Sequence, residues 1–121
     1  MSRVSFLPGD VVFVPYAPFT NRLNVKPRPV LIISGAPFNQ SGPDVIVAPI
    51  SSNIRYGDTR QVVIEDSDCN FSQTGLKRSS AIKCGAIFAY SKSQIARRLG
   101  KVDPNVIEQV RKLVIDIITK D

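Results

Sequence analysis

The sequence predicts a mainly β fold with short helices (α+β): a small, strongly bent sheet or barrel followed by a C-terminal amphipathic helix. Three observations predict it. Several short β-rich runs follow one another between turn residues, no strand–helix alternation is present to build a parallel sheet, and clear helical periodicity is confined to the end of the chain. The 121 residues, 43% of them hydrophobic, suit one compact domain with its own core, read as 1–121.

The elements are expected in this order. Gly9-Asp10 turns into a strand at Val11–Val14. Pro15 to Pro29 carries Pro15, Pro18, Pro27 and Pro29, which predicts a loop of roughly a dozen residues. Val30-Leu31-Ile32-Ile33 reads as a buried strand, broken by Gly35-Ala36-Pro37, and Asp44–Ile50 as a second one. Ser51–Thr59 is a polar connection, Gln61–Glu65 a β-rich run, and Asp66–Gly75 a loop. Ser79–Tyr90 reads as a long strand region with a bulge or bend at Gly85. Ser91-Lys92-Ser93-Gln94 has the form of a capping box, predicting a short helix to about Arg98, with a short strand over Leu99–Val102. Asp103-Pro104 supplies an N-cap and a first-turn proline. Behind it Ile107, Val110, Val114 and Ile117, flanked by Leu113 and Ile118, recur at helical spacing. That face is expected to pack on its own barrel, or also to form a subunit interface.

Composition narrows the chemistry. No apolar run reaches the ~18–20 residues of a membrane span, and the first residues lack the form of a signal peptide. A cytoplasmic protein with no membrane association is expected. Cys69 and Cys84 are then expected as reduced thiols. With no histidine and no Cys-x-x-Cys pair, no metal site and no cofactor are expected. General acid–base work falls to Arg, Lys, Tyr, Ser, Thr or a carboxylate.

The net charge is +6, and it is segregated. Cys69 to Val102 holds Lys77, Arg78, Lys83, Lys92, Arg97, Arg98 and Lys101 and no acid, whereas acids gather in 44–68 and after Asp103. Such a distribution suits a polyanionic partner, nucleic acid or an acidic protein segment, and equally a solvated basic surface.

Three pieces carry candidate chemistry. Lys26-Pro27-Arg28-Pro29 places an arginine between two prolines at the start of a buried strand. Its planar fork can hold two phosphate oxygens, and the same placement suits a structural arginine capping the loop. Ile50-Ser51-Ser52-Asn53 puts hydroxyls and an amide at a strand end, suited to phosphate or sugar and equally to turn chemistry. Thr74-Gly75-Leu76-Lys77-Arg78-Ser79-Ser80-Ala81-Ile82-Lys83-Cys84 joins a glycine turn, a basic pair, two hydroxyls and a strand bearing Lys83. It also reads as a solvated turn feeding an edge strand.

Taken in order, Pro8-Gly9-Asp10-Val11-Val12, Arg28-Pro29-Val30-Leu31-Ile32-Ile33, Val45–Ser52 and Gly75-Leu76-Lys77 with Ser80–Cys84 resemble the MazF/PemK family of bacterial toxins. The resemblance implies a small SH3-like or CcdB-like barrel, a homodimer, and a toxin of a type II toxin–antitoxin pair. It implies a metal-independent endoribonuclease that cuts single-stranded RNA, such as mRNA, at short sequences. There the 2′-hydroxyl attacks the adjacent phosphate, giving 2′,3′-cyclic phosphate and 5′-hydroxyl ends. Arg28 matches the family's catalytic arginine, Ser51 a position commonly held by threonine, and Lys83 a position where PemK-like members carry arginine. Gly85 stands where those members carry an aspartate, and the histidine of some members has no counterpart.

On this reading Arg28 stabilises the pentacovalent phosphorane and assists proton transfer, Ser51 donates to the same phosphate, and Lys83 is a third catalytic group. Lys26, Lys77 and Arg78 hold flanking phosphates, while Thr20, Ser52 and Asn53 join the RNA-binding set. Tyr16, Phe19 or Phe38 stacks on splayed bases, Phe38 suiting the core better. An acidic antitoxin is the expected protein partner. Two other classes fit the fold: a CcdB-like gyrase poison that is not an enzyme, and a barrel that binds nucleic acid without cutting it.

Overall fold

In the computed structural model, which describes residues 5–17 and 26–121, the β-rich runs form one curled antiparallel sheet. The strands are β1 (Asp10–Ala17), β2 (Lys26–Ile32), β3 (Asp44–Ser51), β4 (Gln61–Ile64), β5 (Ser80–Lys83), β6 (Phe88–Ser91) and β7 (Arg97–Lys101). A short helix, α1 (Ala36–Ser41), links β2 to β3, and α2 (Pro104–Thr119) closes the chain. The order across the sheet is β4-β5-β3-β2-β1-β7. β5 pairs with the C-terminal end of β3 and β6 with its N-terminal end.

The run Val30–Ile33 is continuously apolar because the sheet buries both faces. Val11, Leu31, Ile33, Ala48, Ile50, Ile64 and Ile82 face one way, together with Val110 and Val114 of α2. Val12, Val14, Val30, Ile32, Val45, Val47 and Tyr90 face the other, under Phe6, Phe88 and Ile95. Each aliphatic side chain withdrawn fully from water here contributes ~1.5–3 kcal/mol. A one-residue slip of β2 would exchange the two sets, so both faces fix its register.

α2 begins as its sequence predicts, the Asp103 carboxylate accepting from the Asn105 N–H at 2.9 Å. Arg111 Nε donates to the Ile33 carbonyl at 2.9 Å and ties the helix to the sheet. The packed face is narrower than the periodic one: Val110 and Val114 are buried, whereas Ile115, Ile117 and Ile118 lie exposed, Ile118 by 68%.

Four expectations are corrected. The proline-rich stretch is strand at both ends: β1 runs on to Ala17 and β2 begins at Lys26, so Arg28 lies within a strand. Proline's fixed φ is compatible with extended chain. Ala36-Pro37 starts α1, since proline suits the first turn of a helix. The Ser79–Tyr90 region bends at Gly85 as expected, but as two strands parted by a 3-10 turn at Cys84–Ala86, which carries the chain from one stretch of β3 to the other. The capping box makes only a 3-10 turn, Lys92–Gln94, without side-chain capping. There Ser91 is held in β6 against Asp44, and the chain must turn to pair Arg97 with Phe13.

Gly75 and Gly100 fix a crossing. Gly75 has φ +73°, and a Cβ on it would overlap the Leu99 carbonyl; one on Gly100 would overlap the Gln73 carbonyl. The backbone before the Lys77-Arg78 pair therefore lies directly on β7.

Candidate active site

The β1–β2 register pairs Val14 with Arg28, and the β2–β3 register pairs Val30 with Pro49. Pro29 and Pro49 have no N–H to donate, and the β2–β3 ladder ends at the Val30/Pro49 pair. Both strands run on past that pair, β2 back to Lys26 and β3 forward to Ser51, so Arg28 and Ser51 lie at the same end of the sheet. Ser51 pairs in turn with Ala81, and Lys83 with Gln61.

Side chains alternate between the faces of a strand. Arg28 therefore shares the face of Val14 and Val30, Ser51 that of Val47 and Pro49, and Lys83 lies on the same side as Ala81. All three candidate catalytic residues leave the sheet on one face, opposite α2, and each is half-buried. Ser51 Oγ accepts the Asn53 N–H at 3.1 Å, so its own proton is directed elsewhere. Lys83 Nζ donates to Gln61 Oε1 at 2.8 Å, a neutral acceptor that orients the ammonium without cancelling its charge.

Antiparallel pairing brings most of the other predicted residues to the same end of the sheet. Tyr16 is near the end of β1 and is 66% exposed; Lys26 opens β2 across from Ala17. Ser52 and Asn53 follow β3, and Lys77 and Arg78 precede β5, all four exposed. Thr20 and Phe19 lie outside the described residues. Phe38 does not join the site. It sits on α1, at the opposite end of β2 and β3, and is 47% exposed, not part of the core.

Gln61, Tyr56 and Glu65 belong to no motif, yet Gln61 holds Lys83 directly and the other two bond to each other beside β4. Gln61 Nε2 donates to the Arg55 carbonyl at 2.9 Å while its Oε1 holds Lys83. The Tyr56 hydroxyl donates to Glu65 Oε1 at 3.1 Å. That hydrogen bond, with the charges of Glu65 and Asp66, raises the Tyr56 phenol above its ordinary range. Asp58 is held below the usual carboxylate range by the Arg60 N–H and guanidinium, with Lys83 adding to the effect. At the predicted bend, a Cβ on Gly85 would meet only the Arg60 side chain, at 3.8 Å, an ordinary contact.

Among the described residues no three His, Cys, Asp or Glu side chains gather as a metal site, and no helix is long and apolar enough to cross a membrane. Cys69 is exposed and Cys84 buried, both free. Burial pushes the Cys84 thiol up to about 11, which keeps it neutral and unreactive. A cavity of about 230 Å³ lies on the α2 side, lined by Ile64, Phe71, Val102 and Val106 with Asp68 and Asp103. It presents carboxylates and no cation, the wrong charge for phosphate.

Arg28, Ser51 and Lys83 thus bring a guanidinium, a hydroxyl and an ammonium to one face of the sheet. Residues 7–118 match the family model described as PemK-like, MazF-like toxin of type II toxin-antitoxin system. No curated protein sequence matches the chain. Among solved structures, the fold is similar to a MazF from Deinococcus radiodurans, with TM-score 0.75 and 18% identity over 96% of this chain and 98% of that one. It is also similar to the Mycobacterium tuberculosis toxin MazF-mt6, with TM-score 0.71 and 19% identity over 93% and 98% of the two chains. A third is a mycobacterial endoribonuclease in complex with its cognate antitoxin, with TM-score 0.70 and 18% identity over 96% and 95%.

Proposed function

The chain belongs to the PemK-like, MazF-like toxins of type II toxin–antitoxin systems, and from that premise we propose that it is a metal-independent endoribonuclease acting on single-stranded RNA at Arg28, Ser51 and Lys83. The observation that supports this reading is the strand register, whose alternation directs Arg28, Ser51 and Lys83 to one face of the sheet.

The reaction needs little from the protein beyond position and charge. The RNA's own 2′-hydroxyl attacks the adjacent phosphorus. The P–O5′ bond breaks, leaving a cyclic phosphate on one fragment, and the 2′ proton leaves as the 5′ oxygen gains one. Negative charge gathers on the non-bridging oxygens of the phosphorane, where a preorganised guanidinium is most effective. Arg28 supplies it, fixed by its strand and flanking prolines. Ser51, its lone pair occupied by the Asn53 N–H, directs its proton to the same oxygens. Lys83, oriented by Gln61, neutralises the neighbouring charge. Tyr16, Lys26, Ser52, Asn53, Lys77 and Arg78 line the end of the sheet along which the flanking nucleotides run.

The protein partner on this reading is an acidic antitoxin segment that competes with RNA for the same cations. The working form is a homodimer, for which the exposed Ile115, Ile117 and Ile118 of α2 offer an apolar surface. The test is to incubate the purified chain with a long RNA in EDTA. Fragments ending in cyclic phosphate and 5′-hydroxyl support the proposal, and RNA left whole refutes it.

A further inference from the structure

The connection from Ser52 to Arg60 is fastened at two points, to the first residue of β4 and to the residue that follows its last. Gln61 holds it by the Arg55 carbonyl at 2.9 Å, and Glu65 holds it by the Tyr56 hydroxyl at 3.1 Å. Gln61 and Glu65 are four residues apart along an extended chain, so their side chains leave on the same side. Gln61 is opposite Lys83 and bonded to it, which makes that side the one bearing Arg28, Ser51 and Lys83. Tyr56, bonded to Glu65, is thus held towards the same side as Lys83 and its neighbours. Its hydroxyl is held by Glu65, and the residue is 69% exposed.

We propose that Tyr56 is a nucleobase-stacking platform of this site, taking one base of a single-stranded RNA whose phosphates lie on Arg28, Ser51 and Lys83. The inference rests on the nuclease reading and adds a residue to its substrate groove. An aromatic ring tethered before binding loses little rotamer freedom when a base lies on it, and every base offers a π-face. Charge orients the strand as well. Glu65 and Asp66 repel phosphate from the Tyr56 margin while Lys83 and Arg28 attract it, so the backbone runs over the cations with a base turned towards the ring. The raised phenol stays protonated and keeps its bond to Glu65 across the neutral pH range.

The test compares Tyr56→Ala, Tyr56→Phe and Tyr56→Trp with the wild type in two assays. One is binding of a random-sequence 2′-O-methyl RNA pool, which lacks the attacking hydroxyl, read by fluorescence anisotropy. The other is cleavage of a long natural RNA. Tyr56→Ala is expected to weaken pool binding about ten-fold, the scale of one lost stacked base. It should raise KM by a similar factor with little change in kcat, and blur the base preference at one position beside the cut. The Phe and Trp variants keep a stacking ring but lose the bond to Glu65, so they are expected to bind between Tyr56→Ala and wild type. Equal pool binding by Tyr56→Ala and wild type overturns the platform, whether or not the protein cuts RNA. A wild type that binds the pool through Tyr56 but leaves the long RNA whole overturns the nuclease reading and supports the platform.

Discussion

Replacing Arg28 by lysine keeps the charge and loses the planar fork, so it separates the two properties that the site uses. Arg28→Ala is expected to lower RNA cleavage ~10²–10³-fold, as losing a transition-state donor does, and Arg28→Lys to stay well below wild type. Initial rates on a defined RNA check both; a lysine variant at full rate would mean that charge alone is required. Ser51→Thr keeps the hydroxyl and should remain active, whereas Ser51→Ala should not. Cys84 makes a prediction of the opposite kind, about stability. Its folded pKa is raised above the ordinary thiol value of 9.0 to about 11, so the fold prefers the neutral thiol. This contribution is complete below pH 9.0 and is lost as pH rises towards 11. Denaturant titrations at pH 8, 10 and 11 should show Cys84→Ala losing less stability with rising pH than wild type. Parallel losses in the two proteins would assign the alkaline instability to other groups.

The crossing at Gly75 and Gly100 joins the turn before β5 to the edge strand β7. Gly100→Ala drives a Cβ into the Gln73 carbonyl and is expected to cost more than ~3 kcal/mol. Gly42→Ala meets nothing within 4 Å and serves as the control. Thermal melts compare them, and equal melting temperatures would contradict the crossing. The elements also show how far the sequence was readable. Val30–Ile33, Asp44–Ile50 and the helix after Asp103-Pro104 were legible because burial period and capping are local. β2's first residues were hidden by Pro27 and Pro29, which read as loop until β1 is seen beside them. The Ser91–Gln94 capping box pointed to a helix, but tertiary pairing of β6 and β7 on either side overrode it. Arg28 and Ser51 were legible as strand-end chemistry matching a family pattern, and the face that they share is decided by register. The Gln61–Lys83 and Tyr56–Glu65 contacts join residues 22 and 9 positions apart without a motif. They become visible only once the connection folds back on β4.

Across the whole molecule the net charge of +6 is less informative than where it lies. Cations gather at the end of the sheet that holds Arg28 and Ser51, so RNA affinity should fall steeply with salt. For single strands the logarithmic slope is about −0.7 per phosphate neutralised. Lys77→Ala and Arg78→Ala should each make it shallower by ~0.7 without changing which sequence is cut. Assembly is tested at α2: Ile118→Glu should convert a dimer to a monomer in sedimentation, and an unchanged dimer would place the interface elsewhere. The central claim, that Arg28 and Ser51 form a metal-independent RNA-cleaving site, is tested most directly by sequencing the 5′-hydroxyl ends that the protein generates from a long RNA in EDTA, beside Arg28→Ala. The account predicts a discrete set of ends sharing a short motif with wild type and none above background with Arg28→Ala. Identical end profiles from the two proteins, or wild-type cutting that EDTA abolishes, would contradict it.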